Sequence, residues 1–171
     1  TSWCGSFGVT PVLFRLQNVY GPGQSLINPY TGIVSLFARL AKQGQSIPVY
    51  EDGQIVRDFV FIDDVASAIV AGVLHSPATS TPYDIGLGER TTIMQIAQTI
   101  AEHYGAPAPH VTGQFRDGDV RAAWADTARA RQALDWEPRV GVTEGINRLC
   151  DWIDAQEGAV SPAPTGTATE V

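Results

Sequence analysis

Two kinds of apolar pattern alternate along this sequence, and that alternation limits the fold more than any other feature. Short unbroken apolar runs occur in PVLFRL (11–16), SIPVY (46–50), DFVFI (58–62) and YDIG (83–86). Each is too short for a helix and is bounded by turn residues, YGPGQ (20–24), EDGQ (51–54) and GLGER (86–90), so each reads as a strand. Between them the spacing becomes helical. Ile33, Leu36, Phe37, Leu40 and Ala41 predict a helix over 32–42, stopped by Gly44. Asp63 or Asp64 is expected to cap a helix running to about Leu74. Thr92 and Gln95 have capping-box spacing ahead of the stripe Ile93, Ile96, Ala97, Ile100, Ala101. Asp126 is expected to cap a short helix in TARARQALDW (127–136). Thr143 is expected to cap a last helix with Ile146, Leu149, Cys150 and Ile153 on one face. Strands alternating with helices predict an α/β architecture. Residues 158–171 are Ala, Pro, Ser, Thr and Gly without periodicity, and are expected to form a disordered tail.

With 171 residues, 44% of them hydrophobic and 17% charged, the chain suffices for one domain with a real core. A net charge of −7 argues against non-specific binding to nucleic acid. Cys4 and Cys150 lie far apart without metal-like spacing, and His75, His103 and His110 show no paired spacing. A reduced, cytoplasmic protein without disulfide or metal is the expectation. No apolar run reaches membrane-spanning length. The opening TSWCGSFGVT lacks both signal-peptide character and an initiator methionine, which points to a piece of a longer protein.

Arg57 raises the first functional question, since it stands between the EDGQ turn and a buried strand. Its ordinary reading is a surface salt bridge with Asp58 or Glu51. A second arginine, Arg116, precedes the Asp-Gly turn of FRDGDVR, and Asp119 follows that turn. Two arginines presented from strand ends can clamp a diphosphate in a forked geometry that lysine does not match. Asp119 has the chemistry to accept hydrogen bonds from a ribose diol, and Tyr50 can lie against a planar base. Asn18 follows a strand and can present its amide to a ligand or satisfy its own loop. Gly21, Pro22 and Gly23 set a turn at the carboxyl end of that strand, where open α/β sheets bind ligands. No glycine-rich dinucleotide loop, no tyrosine followed four residues later by lysine, and no nucleophile elbow occurs in these 171 residues.

The motifs FRLQNVYGPGQSLINPYTGIVSLF, EDGQIVRDFVFIDDVASAI, YDIGLGERTTI and RDGDVRAAWADTARARQALDWEPRVGVTEGI, in this order, resemble the C-terminal half of the extended short-chain dehydrogenase/reductases. More narrowly, they resemble the NAD-dependent nucleotide-sugar epimerases and dehydratases, from about Phe7 to Ala155. The resemblance implies the last part of a Rossmann-like core over 1–24, and a nucleotide-sugar-binding region with returning core elements over 25–157. It implies that Arg57 and Arg116 grip the diphosphate, that Asp119 reaches the nucleotide ribose, that Asn18 meets the diphosphate-sugar region, and that Tyr50 lies against the base. Leu16 and Gln17 would line the nicotinamide side of NAD. A homodimer is implied for a full-length enzyme. The catalytic tyrosine and lysine of such enzymes have no counterpart here, so the chain alone is expected to be inactive. A half sheet would also leave an open edge and uncovered apolar faces.

LQNVYGPGQSLINPYTGIVS resembles a subgroup of 4-epimerases that act on dTDP- or UDP-sugars. A 4,6-dehydratase or decarboxylase of the same family is the alternative, and a non-catalytic nucleotide-sugar-binding module is another.

Overall fold

The computed structural model describes residues 2–26, 32–75 and 81–156. Its strands are β1 (Phe14–Leu16), β2 (Asn18–Tyr20), β3 (Pro48–Val49), β4 (Val56–Arg57), β5 (Phe59–Phe61), β6 (Tyr83–Ile85), β7 (Thr91–Thr92) and β8 (His110–Val111). The helices are α1 (Ser2–Ser6), α2 (Ile33–Lys42), α3 (Ile62–His75), α4 (Ile93–Tyr104), α5 (Ala128–Leu134) and α6 (Val142–Ala155). The expected tail, 158–171, lies outside the described residues.

β5 explains why DFVFI is apolar throughout. All three of its side chains are buried, but they face opposite ways. Phe59 and Phe61 enter a core built from α2, α4 and α6, with Ile96, Ile100, Ile146 and Leu149 among its members. Val60 enters a second core with Val65, Tyr83, Ile85 and Leu134, contributed by α3, β6 and α5. A strand covered on both faces loses the polar alternation of a half-exposed one.

Segment 14–20 ties this strand to the rest. Its first half, β1, runs parallel to β6 with Arg15 opposite Asp84. Its second half, β2, runs parallel to β5 with Asn18 opposite Phe59. The change of partner falls at Gln17, whose N–H donates to Ile85 O at 2.9 Å, while the N–H of Asn18 donates to Asp58 O at 3.0 Å. β3 pairs in parallel with β8, and β4 pairs antiparallel with β7.

The structure corrects several local expectations. PVLFRL is a strand only from Phe14. Helix α3 starts at Ile62, so Asp63 and Asp64 lie inside its first turn rather than ahead of it. Asp64 is buried instead, and its two carboxylate oxygens accept the N–H groups of Arg139 and Val140 at 2.9 and 3.0 Å. It fastens the segment that leads into α6. Thr143 lies inside α6, which begins at Val142 after Gly141 without a side-chain cap. Asp126 lies one residue before the N-cap Thr127, yet its Oδ1 accepts the N–H of Ala128 at 3.0 Å. The Thr92–Gln95 capping box forms as its spacing predicts. The outward side of α3 leaves Ile69, Val70, Val73 and Leu74 exposed, an uncovered apolar stripe of the kind a half sheet was expected to leave.

Gly145 sets how closely α6 approaches β2 and β5. A Cβ there would overlap Tyr20 Oη and stand 2.9 Å from Phe61 Cδ2. Gly145→Ala should therefore destabilise by about 1–3 kcal/mol through overpacking, although alanine is the better helix former by ~1 kcal/mol. Urea unfolding measures this, and an unchanged or higher midpoint would contradict the packing.

The Arg15 guanidinium, bonded to Asp84 at 2.5 and 2.8 Å, holds that carboxyl below its ordinary range. The folded state thus favours ionised Asp84. The contribution is complete above the unfolded carboxylate pKa of about 4 and is lost as pH falls through the lower folded value. The stability gap between the parent and Asp84→Asn should be largest near neutrality and close in acid, as read from urea midpoints between pH 7 and pH 2.

Candidate functional site

The site grows from the step between β4 and β5. Asp58 follows Arg57 directly and is fully buried. Its Oδ1 accepts the N–H of Leu87 at 2.8 Å, and its Oδ2 accepts those of Gly88 and Ala125 at 3.0 and 3.1 Å. Its carbonyl accepts both the backbone N–H and the Nδ2 of Asn18, each at 3.0 Å. One carboxylate thus ties three parts of the chain together, and the carbonyl turns the Asn18 amide toward the same point. A Cβ on Gly86 would overlap the Asp58 carboxylate, so the carboxylate depends on a glycine there. Asp58→Ala would strand the buried donors of Leu87 and Ala125 and free that of Gly88, at a cost of at least about 2 kcal/mol. Chemical denaturation of the variant checks this, and a loss below 1 kcal/mol would contradict it.

Arg57 does not pair with Asp58 or Glu51. Its side chain is largely buried, with Nη1 donating to Val56 O at 2.9 Å and Val120 O at 2.5 Å, and Nη2 donating to Asp119 Oδ1 at 2.5 Å. Its Nε and one Nη2 hydrogen have no partner among the described residues, which leaves part of the guanidinium available to an anion. Asp119 is brought to it by a turn in which the N–H of Asp119 donates to Arg116 O at 3.1 Å, with Gly118 at φ 79°. Arg116 is exposed at the start of that turn.

The segment 112–123 carries these groups as a strap and is pinned along its length. The Thr112 N–H donates to Val49 O at 2.9 Å, and the Glu51 N–H to Gln114 O at 2.7 Å. The Val56 N–H donates to Arg121 O and the Ala123 N–H to Val56 O, each at 3.0 Å. Arg121 locks the strap to the 50–53 turn through Glu51 at 2.9 Å and a forked contact to Asp52 at 2.7 and 2.6 Å. That pairing holds the Asp52 carboxyl well below the usual range and raises the Arg121 guanidinium.

Two hollows flank this cluster. Tyr50, 45% exposed, lines an open groove of ≈ 430 Å³ with Thr112, Gly113, Gln114 and Phe115. Asn18 lines a smaller cavity of ≈ 160 Å³ with Tyr20, Gln24, Val34 and Phe59. Leu16 is 43% exposed at the end of β1, and the Gln17 side chain lies close to Gly86. The structure therefore brings Arg57, Asp119 and Asn18 around one strand end, with the exposed Arg116 at the start of the turn that carries Asp119. It puts Tyr50 in the groove beside Arg116, and Asn18 and Tyr50 in different hollows. Sequence reasoning missed Asp58 as the organising carboxylate and Arg121 as the lock. The one signal for Asp58 was an acid placed directly against an apolar run.

The family model for the NAD dependent epimerase/dehydratase family matches residues 1–86, half of the chain. The chain belongs to this family. It is 55% identical over 149 residues to a dTDP-L-rhamnose 4-epimerase of Burkholderia thailandensis, covering 86% of this chain and 41% of that protein. It is 35% identical to a UDP-glucose 4-epimerase of Mycolicibacterium smegmatis, covering 79% of this chain and 42% of that protein. Among solved structures it resembles a UDP-glucose 4-epimerase with UDP-glucose from Thermotoga maritima, at TM-score 0.81 and 29% identity, covering 90% of this chain and 49% of that one. A Thermus thermophilus UDP-glucose 4-epimerase in complex with NAD matches at TM-score 0.74 and 31% identity, covering 93% and 50%. The fold is thus the α/β, Rossmann-like fold of these epimerases. The chain spans half or less of the length of these relatives.

Proposed function

We propose that this chain is the substrate-binding portion of an NAD-dependent enzyme that inverts C4 of a nucleoside diphosphate sugar. A dTDP- or UDP-hexose is the substrate class, and dTDP-L-rhamnose is the first sugar to try, given the 55% identity to the Burkholderia enzyme. The observation that carries the reading is the convergence of Arg57, Asp119 and Asn18 on one strand end, with Arg116 in the turn that carries Asp119 and next in the chain to the open groove.

In this reading the free edge of the Arg57 guanidinium and the exposed Arg116 neutralise the diphosphate. Asp119, held by Arg57, presents its carboxylate to the ribose hydroxyls. Asn18, oriented by the Asp58 carbonyl, donates to the diphosphate-sugar region. Tyr50 lies against the base. These contacts hold the sugar ring while its C4 is oxidised and reduced, so their share is positioning. NAD, when bound, supplies the hydride acceptor and donor. The exposed Leu16 side chain at the end of β1 fits a flat ring, with Gln17 beside it, and these two residues would line the nicotinamide side. The proton on the sugar O4 is assigned to no residue of this chain. A cytoplasmic homodimer, divided as a Rossmann-like part over 1–24 and a substrate region over 25–157, completes the proposal. A 4,6-dehydratase is the second reading, favoured by likeness to a dTDP-glucose 4,6-dehydratase structure from Bacillus anthracis at TM-score 0.76 and 25% identity.

Thermal melts with millimolar UDP or dTDP test the clamp. A ligand that binds only the folded state raises stability by RT ln(1 + [L]/Kd), about 2.7 kcal/mol at a hundredfold excess. The expected result is a raised Tm that is lost in Arg116→Ala. No shift with either nucleotide, in a chain that melts cooperatively, would overturn the reading.

A further inference from the structure

The groove beside Arg116 has a wall that the clamp does not use. Phe115 is 70% exposed, among the most exposed aromatic side chains described, and it faces the groove that Tyr50 also lines. An exposed phenyl on a strap this firmly pinned gains nothing from burial in the protein itself. Thr112 is fixed to Val49, and Gln114 to the N–H of Glu51, so backbone bonds hold the groove's side in place before any ligand arrives. Gly113, at φ 72°, lets the strap turn there without a side chain entering the space. The Gln114 amide has no partner among the described residues. It can offer a donor and an acceptor together, the pattern needed by the imide edge of uracil or thymine.

We infer that Phe115 is the stacking platform for the pyrimidine base, and that Gln114 reads the edge of that base. The inference rests on the proposed nucleotide-sugar reading and deepens it. It commits to one occupant because Arg116 is the next residue along the chain. A diphosphate on Arg116 brings its nucleoside within reach of this groove, and ≈ 430 Å³ is ample for a single planar ring. With Tyr50 on another side, the base meets two aromatic surfaces. Stacking is indifferent to the base edge, so Phe115 supplies affinity for uridine and thymidine nucleotides alike, and the Gln114 amide adds hydrogen bonds to the edge of the stacked base.

Isothermal titration of the chain with dTDP, UDP, CDP and inorganic pyrophosphate separates the roles. Phe115→Ala, a truncation at an exposed position that should leave the melt cooperative, is expected to weaken dTDP and UDP on the order of tenfold or more, with pyrophosphate unchanged. Phe115→Tyr should restore binding. Arg116→Ala should weaken all ligands, pyrophosphate included. Gln114→Ala should weaken dTDP and UDP while leaving pyrophosphate unchanged. If dTDP binds the parent but Phe115→Ala binds it equally well, the stacking role is wrong while the clamp survives. Equal loss of pyrophosphate in Phe115→Ala also overturns it, since that would mark a general disturbance of the strap. If neither dTDP nor UDP binds the parent at all, the nucleotide-sugar reading itself fails, and this inference with it.

Discussion

A single buried carboxylate organises the functional end of this molecule. Asp58 lies between a strand that ends in Arg57 and a strand packed on both faces, and it is sealed from solvent. A charge in that position is tolerable only when its lone pairs are filled, and three backbone N–H groups fill them. Those donors come from the loop after β6 and from Ala125, just past the strap. Satisfying Asp58 therefore brings together the sheet, the 86–88 loop and the segment that leads into α5. The same residue's carbonyl orients Asn18. Its neighbour Arg57 then has one place to go, across the strap to Asp119 and Val120.

Asp64 applies the same device on the other side of β5. Its carboxylate fastens residues 139 and 140, and its carbonyl accepts the indole N–H of Trp136 at 3.1 Å. Both acids convert a loop end into a fixed point without a regular ladder. The residue order Asp58, β5, Asp64 thus does more than form a strand and a helix. It locks a central strand to two distant loops through directional bonds to backbone amides, donors that every residue but proline supplies. The thiol of Cys150 shows the contrasting case. It is buried in the α4–α6 core and pushed up to about 12 by desolvation, a small apolar filler rather than a reactive group.

The cluster of Arg57, Asp119, Arg116 and Arg121 shows how a flexible-looking stretch becomes a site. FRDGDVR reads as a polar turn. In the fold it becomes part of a strap held at both ends and at Arg121, so that Arg116 and Asp119 are presented from a rigid support. Preorganisation of this kind lowers the entropy lost on binding. It also separates duties among arginines of one type. Arg121 is consumed by Glu51 and Asp52, Arg57 is half consumed by the strap, and Arg116 stands free at the turn.

Much of this was legible in the sequence. Periodicity gave the alternation of strands and helices, the stripes of α2, α4 and α6, and the Thr92–Gln95 box, because spacing along one element is a local property. The strand-end arginines and the Asp-Gly turn were legible as candidates for the same reason. What spacing could not show was partnership. Asp64 looked like a helix cap because caps are acids ahead of apolar stripes, yet its partners are 75 and 76 residues away. Arg57 looked paired with its neighbour Asp58 because neighbours are all that a sequence displays, yet Asp58 faces inward and Asp119 is 62 residues distant. Sequence by itself determined which residues could form strands, helices and turns, and which could bear the chemistry. Only the tertiary structure decided which carboxylate would be buried and which guanidinium left open, since burial and long-range hydrogen bonding depend on where distant segments meet.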